Sequence, residues 1–147
     1  MNDSHPIVAD ADIYNLAKAT TGFTYYKNTP TAIDKASGSG HSQPLLRTRY
    51  NTKAATQLDA NGKVISSPNF PDSSLVVKEL LNADSTIALY AVIMKLRNAA
   101  NADTNNWIWS ILDASGGVGY PVANKGAACI SCHSPGLDFT MMNIAHP

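Results

Sequence analysis

Two cysteines three positions apart, directly followed by a histidine, constrain this chain more than any other feature of its sequence. Cys129, Cys132 and His133 lie in the segment Cys-Ile-Ser-Cys-His, close to the C-terminal Pro147. This arrangement is the signature for covalent attachment of a c-type haem. Each thiol can form a thioether with one vinyl group of the porphyrin, and the adjacent imidazole can ligate the iron. We therefore predict one covalent haem c, bound by Cys129 and Cys132, with His133 as an axial iron ligand.

Three other interpretations of the two cysteines are open. A thioredoxin-like redox pair is expected beside a βαβ pattern, which the sequence lacks. A structural zinc site needs a fourth ligand besides two thiolates and His133, and the remaining histidines are isolated: His5, His41 and His146. A disulfide across so short a loop would stabilise the fold little. The alternative to a cytochrome is therefore a haem-free zinc or thiol module.

The composition excludes two classes of partner. Eleven basic residues balance eleven acidic ones, so the chain has no basic field that would attract a nucleic acid. Its apolar runs are far shorter than the roughly 20 residues that cross a bilayer. We predict no nucleic-acid partner and no membrane span. The partner is expected to be either a redox protein, docking at short range, or a small nitrogen-containing ligand.

Haem of this type is attached after export, so we expect a periplasmic or otherwise extracytoplasmic protein. The sequence opens with neither a basic segment nor an apolar one, which we interpret as an export signal already removed. The length of 147 residues fits a single domain over 1–147, with residues 1–6 flexible.

Hydrophobic periodicity predicts a mainly β (α+β) fold: a small antiparallel β-sheet with an N-terminal helix and a short C-terminal helix carrying the haem-attachment motif. Helices are predicted over 7–20, 52–58 and 125–132, strands over 23–26, 45–51, 74–81, 86–96 and 107–112, a loop over 28–44, and a turn at Gly116, Gly117 and Gly119. Along 74–81, alternation places Leu75, Val77 and Glu79 on one face and Val76, Lys78 and Leu80 on the other. Both faces are apolar enough to need a cover, which haem could supply on one side and the N-terminal helix or a partner subunit on the other.

Four segments from about Leu45 to the C-terminus resemble, in their order, the cytochrome P-460 family and its relative cytochrome c′-β. They read Leu-Leu-Arg-Thr-Arg-Tyr-Asn (45–51), Pro-Asp-Ser-Ser-Leu-Val-Val-Lys-Glu-Leu (71–80), Asn-Trp-Ile-Trp (106–109) and Lys-Gly-Ala-Ala-Cys-Ile-Ser-Cys-His (125–133). The resemblance implies a small antiparallel sheet, commonly a homodimer, with His133 as proximal ligand and an open distal side.

The same resemblance implies roles for two basic residues. Lys78 occupies the place of a lysine that forms an extra covalent link to the porphyrin in hydroxylamine-oxidising members, and Arg47 matches a distal-side arginine; both are candidate catalytic and haem-binding residues. Taken alone, such a residue is more often a strand lysine whose stem lies along an apolar face and whose ammonium is in water. Arg47 and Arg49 share a strand face, where either could pair with a haem propionate or be solvated.

A sixth iron ligand would decide between electron transfer and small-ligand chemistry. Met94, Met141 and Met142 could supply a thioether, although each could instead pack in the core; His41 could reach the iron from its loop or simply lie in it. Trp107 and Trp109 are expected in the core or a dimer interface. We expect an electron-transfer cytochrome, with oxidation of hydroxylamine or a similar small nitrogen compound, or nitric oxide binding at a five-coordinate haem, as alternatives.

Overall fold

A seven-stranded antiparallel sheet organises the part of the chain that the computed structural model describes, residues 9–34, 43–65, 69–97, 99, 102, 106–120 and 122. The helices are α1 (Asp10–Lys18) and α2 (Thr52–Ala55), with a short 3₁₀ helix at Tyr26–Asn28. The strands are β1 (Thr24–Tyr25), β2 (Ile33–Asp34), β3 (Leu45–Tyr50), β4 (Leu75–Leu81), β5 (Ile87–Lys95), β6 (Trp107–Asp113) and β7 (Val118–Tyr120).

Strands β3 to β7 lie side by side in chain order as an antiparallel meander, so the predicted antiparallel sheet is confirmed. Strands β1 and β2 both pair with the outer edge of β3. The fold is mainly β with an N-terminal helix, as the sequence predicts. The predicted helix over 125–132, with both cysteines and His133, lies outside the described residues.

Two strands were not predicted, and two helices are shorter than predicted. β2 lies inside the segment 28–44 that was assigned to a loop. β7 contains Gly119, which was assigned to the glycine turn, so only Gly116 and Gly117 precede this strand. Strands of two or three residues are too short to show alternation in the sequence. They form by pairing with a neighbouring strand. The helix predicted over 52–58 ends at Ala55, and Leu58 instead forms an isolated bridge with Val64.

Residues directly opposite each other on antiparallel strands point to the same side of a sheet, so the register defines two faces. One, here called the helix face, carries Arg47, Arg49, Leu75, Val77, Glu79, Tyr90, Val92, Met94, Ile108, Ser110 and Leu112. The other, here called the lysine face, carries Leu46, Thr48, Tyr50, Val76, Lys78, Leu80, Leu89, Ala91, Ile93, Trp107 and Trp109. The predicted division of β4 into these two sets is confirmed.

Helix α1 covers the helix face. Its buried Ile13 and Ala17 belong to one core cluster with Leu75, Val77 and Leu112, so the N-terminal helix is the predicted cover on this side. Asp10 also ties the start of α1 to the sheet, because its Oδ1 accepts hydrogen bonds from the backbone N–H of Val122 at 3.0 Å and from Ser110 Oγ at 3.4 Å.

A second core cluster fills one half of the lysine face. Trp107 and Trp109 are buried there with Tyr50, Phe70 and Val76, and the rings of Phe70 and Trp107 pack edge to face at 5.7 Å between centroids. Both tryptophans are therefore core residues of this chain. The half of the lysine face around Lys78 differs, because Leu46 and Leu80 are only 5% and 1% exposed and yet belong to neither cluster of the described residues.

Candidate functional site

Lys78 lies in the middle of the lysine face. It is directly opposite Thr48 on β3 and Ala91 on β5, and Val76 and Leu80 flank it on its own strand. Of these four neighbours only Thr48 carries a polar group, and none carries a charge. Strand β4, between β3 and β5, thus presents a single ammonium group among four uncharged neighbours.

The environment of Lys78 changes its protonation. Its side chain is half-buried, and burial lowers the pKa of Lys78 from 10.5 to about 8, because a low-dielectric surrounding disfavours the charged form. Within the described part of the chain, no hydrogen bond or ion pair compensates the ammonium. A lysine with its ammonium in water would keep its ordinary pKa. At mildly alkaline pH, a substantial fraction of Lys78 is therefore the neutral amine, which is a nucleophile and a potential metal ligand.

Arg47, Glu79 and Arg49 form an ionic cluster on the helix face, here called the Arg–Glu–Arg cluster. Arg47 Nε donates to Glu79 Oε1 at 2.9 Å, and Arg47 Nη2 donates to the same oxygen. Arg49 Nε donates to Glu79 Oε2 at 2.9 Å. Glu79 is 1% exposed and Arg49 is fully buried. Both carboxylate oxygens are thus satisfied, as a buried charge requires.

Arg49 also joins this cluster to helix α1. Its Nη1 donates to the carbonyl of Ala19 at 2.6 Å, its Nη2 donates to the carbonyl of Ala17, and its guanidinium lies 4.5 Å from the Phe23 ring centroid. A cation is favourable at a helix C-terminus, where the last carbonyls lack helical partners. Arg49 therefore stabilises α1 in its position over the sheet.

This arrangement corrects the sequence expectation for Arg49. Arg49 is neither solvated nor available to a propionate, because its guanidinium is fully engaged with Glu79 and α1. Arg47 is partly exposed but bound to Glu79. Arg47 and Lys78 also lie on opposite faces of the sheet, so the structure does not bring these two candidate residues together.

Glu79 is the ionic partner of both arginines, and sequence reasoning missed it. It is the only glutamate in the chain and stands in an apolar strand, which is a position where a carboxylate needs a cation beside it. The Arg-x-Arg pattern at 47–49 supplies that cation, but the pairing depends on a register that local sequence does not reveal.

Met94 lies on the helix face, where it packs against the core beneath α1. A ligand on the lysine face therefore cannot contact both Lys78 and Met94. The other candidates, Cys129, Cys132, His133, His41, Met141 and Met142, lie outside the described residues. In the described part of the chain, no three His, Cys, Asp or Glu side chains are grouped as a metal site.

No family model, curated protein or solved structure matches this chain. The resemblance to the cytochrome P-460 family therefore stays an expectation from the motifs. Among the described residues, no helix has the length and apolar character needed to cross a bilayer.

We predict that Lys78→Met stabilises the protein near neutral pH by about 1 to 2 kcal/mol, a value reduced from the full linkage energy because the side chain is partly exposed. The pKa of Lys78 is about 8 in the folded chain and 10.5 as an ordinary lysine. Between these values the unfolded state binds more protons, so wild-type stability rises with pH. The advantage of Lys78→Met is thus complete below pH 8 and disappears towards pH 10.5.

Urea unfolding of the wild type and the variant at pH 7 and pH 10 measures this difference. Lys53→Met is the matched control, because Lys53 is exposed and its replacement should leave no pH-dependent difference. An equal stability difference at both pH values for Lys78→Met would contradict a buried amine.

Proposed function

We propose that this chain is an extracytoplasmic monohaem c-type cytochrome that binds haem c covalently through Cys129 and Cys132, with His133 on the iron. The observation that carries the proposal is the segment Cys-Ile-Ser-Cys-His itself, because few other sites use this spacing. Bound haem would supply one-electron iron chemistry. The first function we assign is electron transfer with a redox partner protein.

The two faces of the sheet support the lysine face as the haem-packing surface. The helix face is filled by α1 and the Arg–Glu–Arg cluster. Around Lys78, by contrast, the lysine face carries apolar side chains that belong to neither core cluster of the described residues, namely Leu46, Leu80, Leu89 and Ala91. A porphyrin is a flat, largely apolar group, so these residues fit its ring. Within this assignment Met94 is on the wrong face to be the sixth ligand.

A second function is favoured by the amine of Lys78. Burial lowers the pKa of Lys78 to about 8, which makes the neutral amine available for the covalent porphyrin link that the family resemblance implies. That link would favour oxidation of hydroxylamine or a similar small nitrogen compound. An iron without a sixth protein ligand would also fit nitric oxide binding.

Absorption spectra of the protein, produced in a host that matures c-type haem, test the first proposal. We expect one haem per chain that stays attached in a denaturing gel. A low-spin, six-coordinate spectrum in both oxidation states supports electron transfer, whereas a high-spin, five-coordinate ferrous spectrum supports small-ligand chemistry. A protein that contains one zinc ion and no haem would overturn the proposal in favour of the zinc module.

Peptide mass mapping tests the porphyrin link to Lys78. If the link forms, digestion yields the Lys78 peptide only in a haem-linked form joined to the peptide of Cys129 and Cys132. Lys78→Arg should then release a haem peptide that contains the two cysteines alone. Recovery of unmodified Lys78 peptide in full yield from the wild type would exclude the link and leave electron transfer unaffected.

A further inference from the structure

A tight turn connects Leu58 with Val64, which form an isolated bridge, and this turn contains an Asn-Gly sequence. Of the asparagines in the chain, only Asn61 is followed by glycine. Asn61 is exposed, whereas Gly62 is buried. Asparagine before glycine is the pair most prone to deamidation, because glycine has no side chain to hinder the attack of its nitrogen on the asparagine amide. The sequence thus places a spontaneously reactive bond in this turn.

Deamidation at Asn61 needs only the chain itself and water. The Gly62 nitrogen loses its proton and attacks Cγ of Asn61, and the side-chain nitrogen takes up a proton and leaves as ammonia. Water then opens one of the two C–N bonds of the resulting succinimide, which gives either aspartate or isoaspartate. Both products add a negative charge. Isoaspartate also routes the backbone through the former side chain, so it adds one methylene to the turn.

Hydrogen bonds in the turn oppose the first step of this reaction. The Gly62 N–H donates to the carbonyl of Asp59 at 3.0 Å, so the attacking nitrogen is engaged. Asp59 Oδ1 accepts from the N–H of Asn61 at 2.8 Å and from the N–H of Lys63 at 3.1 Å. A bonded N–H in a buried residue is shielded from the water and hydroxide that would take its proton, as in hydrogen exchange. The Asp59 carboxylate therefore holds both sides of the reactive bond in a protected turn.

The turn is also held from outside by the 3₁₀ helix at Tyr26–Asn28. The Lys27 N–H donates to the carbonyl of Gly62 at 3.0 Å, and Asn28 Nδ2 donates to the carbonyl of Ala60 at 3.1 Å. Gly62 has a φ of 75°, which favours glycine, and a Cβ there would lie 2.6 Å from the Asn28 nitrogen. Because the fit is this close, the extra methylene of isoaspartate would displace Gly62 from the 3₁₀ helix.

We propose that the Asn61–Gly62 bond is a deamidation site whose rate is set by the opening of this turn. In the closed turn the Gly62 N–H is protected and the reaction is slow. Opening exposes the N–H and starts the reaction, and isoaspartate then prevents the turn from closing on Asn28 as before. The modification is thus an irreversible record of local opening. It involves none of the candidate haem-binding residues and does not depend on haem.

Peptide mapping of the full chain, incubated at mildly alkaline pH, measures the reaction through the mass gain of amide hydrolysis at Asn61. Asn82, which is exposed and followed by alanine, is the internal reference and should stay unmodified. Asp59→Ala removes two hydrogen bonds from the turn and should speed deamidation of Asn61 about fivefold to tenfold, the change expected for one or two exposed hydrogen bonds. Asp84→Ala is the matched control, because Asp84 Oδ1 also accepts two hydrogen bonds in an exposed turn, and it should leave the Asn61 rate unchanged.

Asn28→Gly tests the contact from outside the turn. Glycine keeps the positive φ of 58° at this position and removes the side-chain bond to Ala60. This variant should speed deamidation by the same factor as it speeds hydrogen exchange at the Gly62 N–H, since one opening event exposes the N–H to both reactions. It also keeps the proposal testable if Asp59→Ala fails to fold.

Measurements in concentrated urea separate the effect of the turn from the effect of local sequence. The wild type, Asp59→Ala and Asn28→Gly should deamidate at one common and faster rate there, because no turn remains. Equal rates for the wild type and Asp59→Ala in native buffer, or equal acceleration by Asp84→Ala, would overturn control by the turn. A difference between the variants that persists in urea would do the same. No modification of Asn61 even in urea would overturn the site itself.

Discussion

Replacing both Cys129 and Cys132 by alanine is expected to abolish covalent haem attachment. Without thioethers, haem would be held by His133 and packing alone, and it would dissociate on denaturation. Haem staining of a denaturing gel and the intact mass of the chain measure this directly. We expect complete loss of the haem mass in the double variant and retention of one haem in the wild type.

Two control variants separate attachment from other effects of mutation. Ser131→Ala lies between the cysteines but preserves the attachment signature, so it should retain full haem content. His133→Ala keeps both thiols and removes the axial imidazole, so any haem attached should show a changed spectrum. Covalent haem in the double cysteine variant would contradict the assigned linkage.

The zinc interpretation predicts that a chelator lowers the stability of the protein, whereas the haem interpretation predicts no effect. A zinc site formed by the two thiolates and His133 would release its metal to a chelator and lose stability with it. A c-type haem protein would show no such response, because thioether bonds are not broken by chelation. Stability measured with and without a chelator therefore distinguishes the two modules in the same preparation.

The sheet could be predicted because the residues of its long strands alternate between the two faces in a pattern that the sequence shows. Alternation along β4 assigns Val77 and Lys78 to opposite faces, and the register confirms it. The short strands β2 and β7 could not be predicted, since their formation depends on the edges of β3 and β6. Tertiary pairing, not local propensity, decides such segments.

The candidate site, like the sheet, could be predicted from the sequence only in part. The burial of Lys78 follows from its apolar neighbours along the strand, which the sequence displays. The position of Arg47 does not, because its partner Glu79 is 32 residues away in sequence and direct opposition of the two depends on the β3–β4 register. A resemblance matched residue by residue placed Arg47 and Lys78 in one site, whereas strand geometry places their side chains on opposite faces.

Glu79→Gln is expected to destabilise the fold by about 3 to 5 kcal/mol, the cost of removing one partner from a buried ion pair. Glutamine has nearly the same shape, but it would leave Arg49, which is fully buried, without a counter-charge. Because Arg49 also donates to the carbonyls of Ala17 and Ala19, the position of α1 depends on the same group. Urea unfolding measures the loss, and hydrogen exchange should show reduced protection in α1 before the central strands.

The two arginines should differ in a way that a general loss of packing would not produce. Arg49→Gln should cost more than Arg47→Gln, since the Arg47 side chain is 27% exposed and water can replace part of its interaction. Asp34→Asn, an exposed change on β2, is the control and should leave stability nearly unchanged. If Glu79→Gln fails to fold, the ranking of the two arginine variants still tests the cluster. Equal losses for Arg47→Gln and Arg49→Gln, with α1 protection unchanged, would show that the Arg–Glu–Arg cluster does not hold the helix.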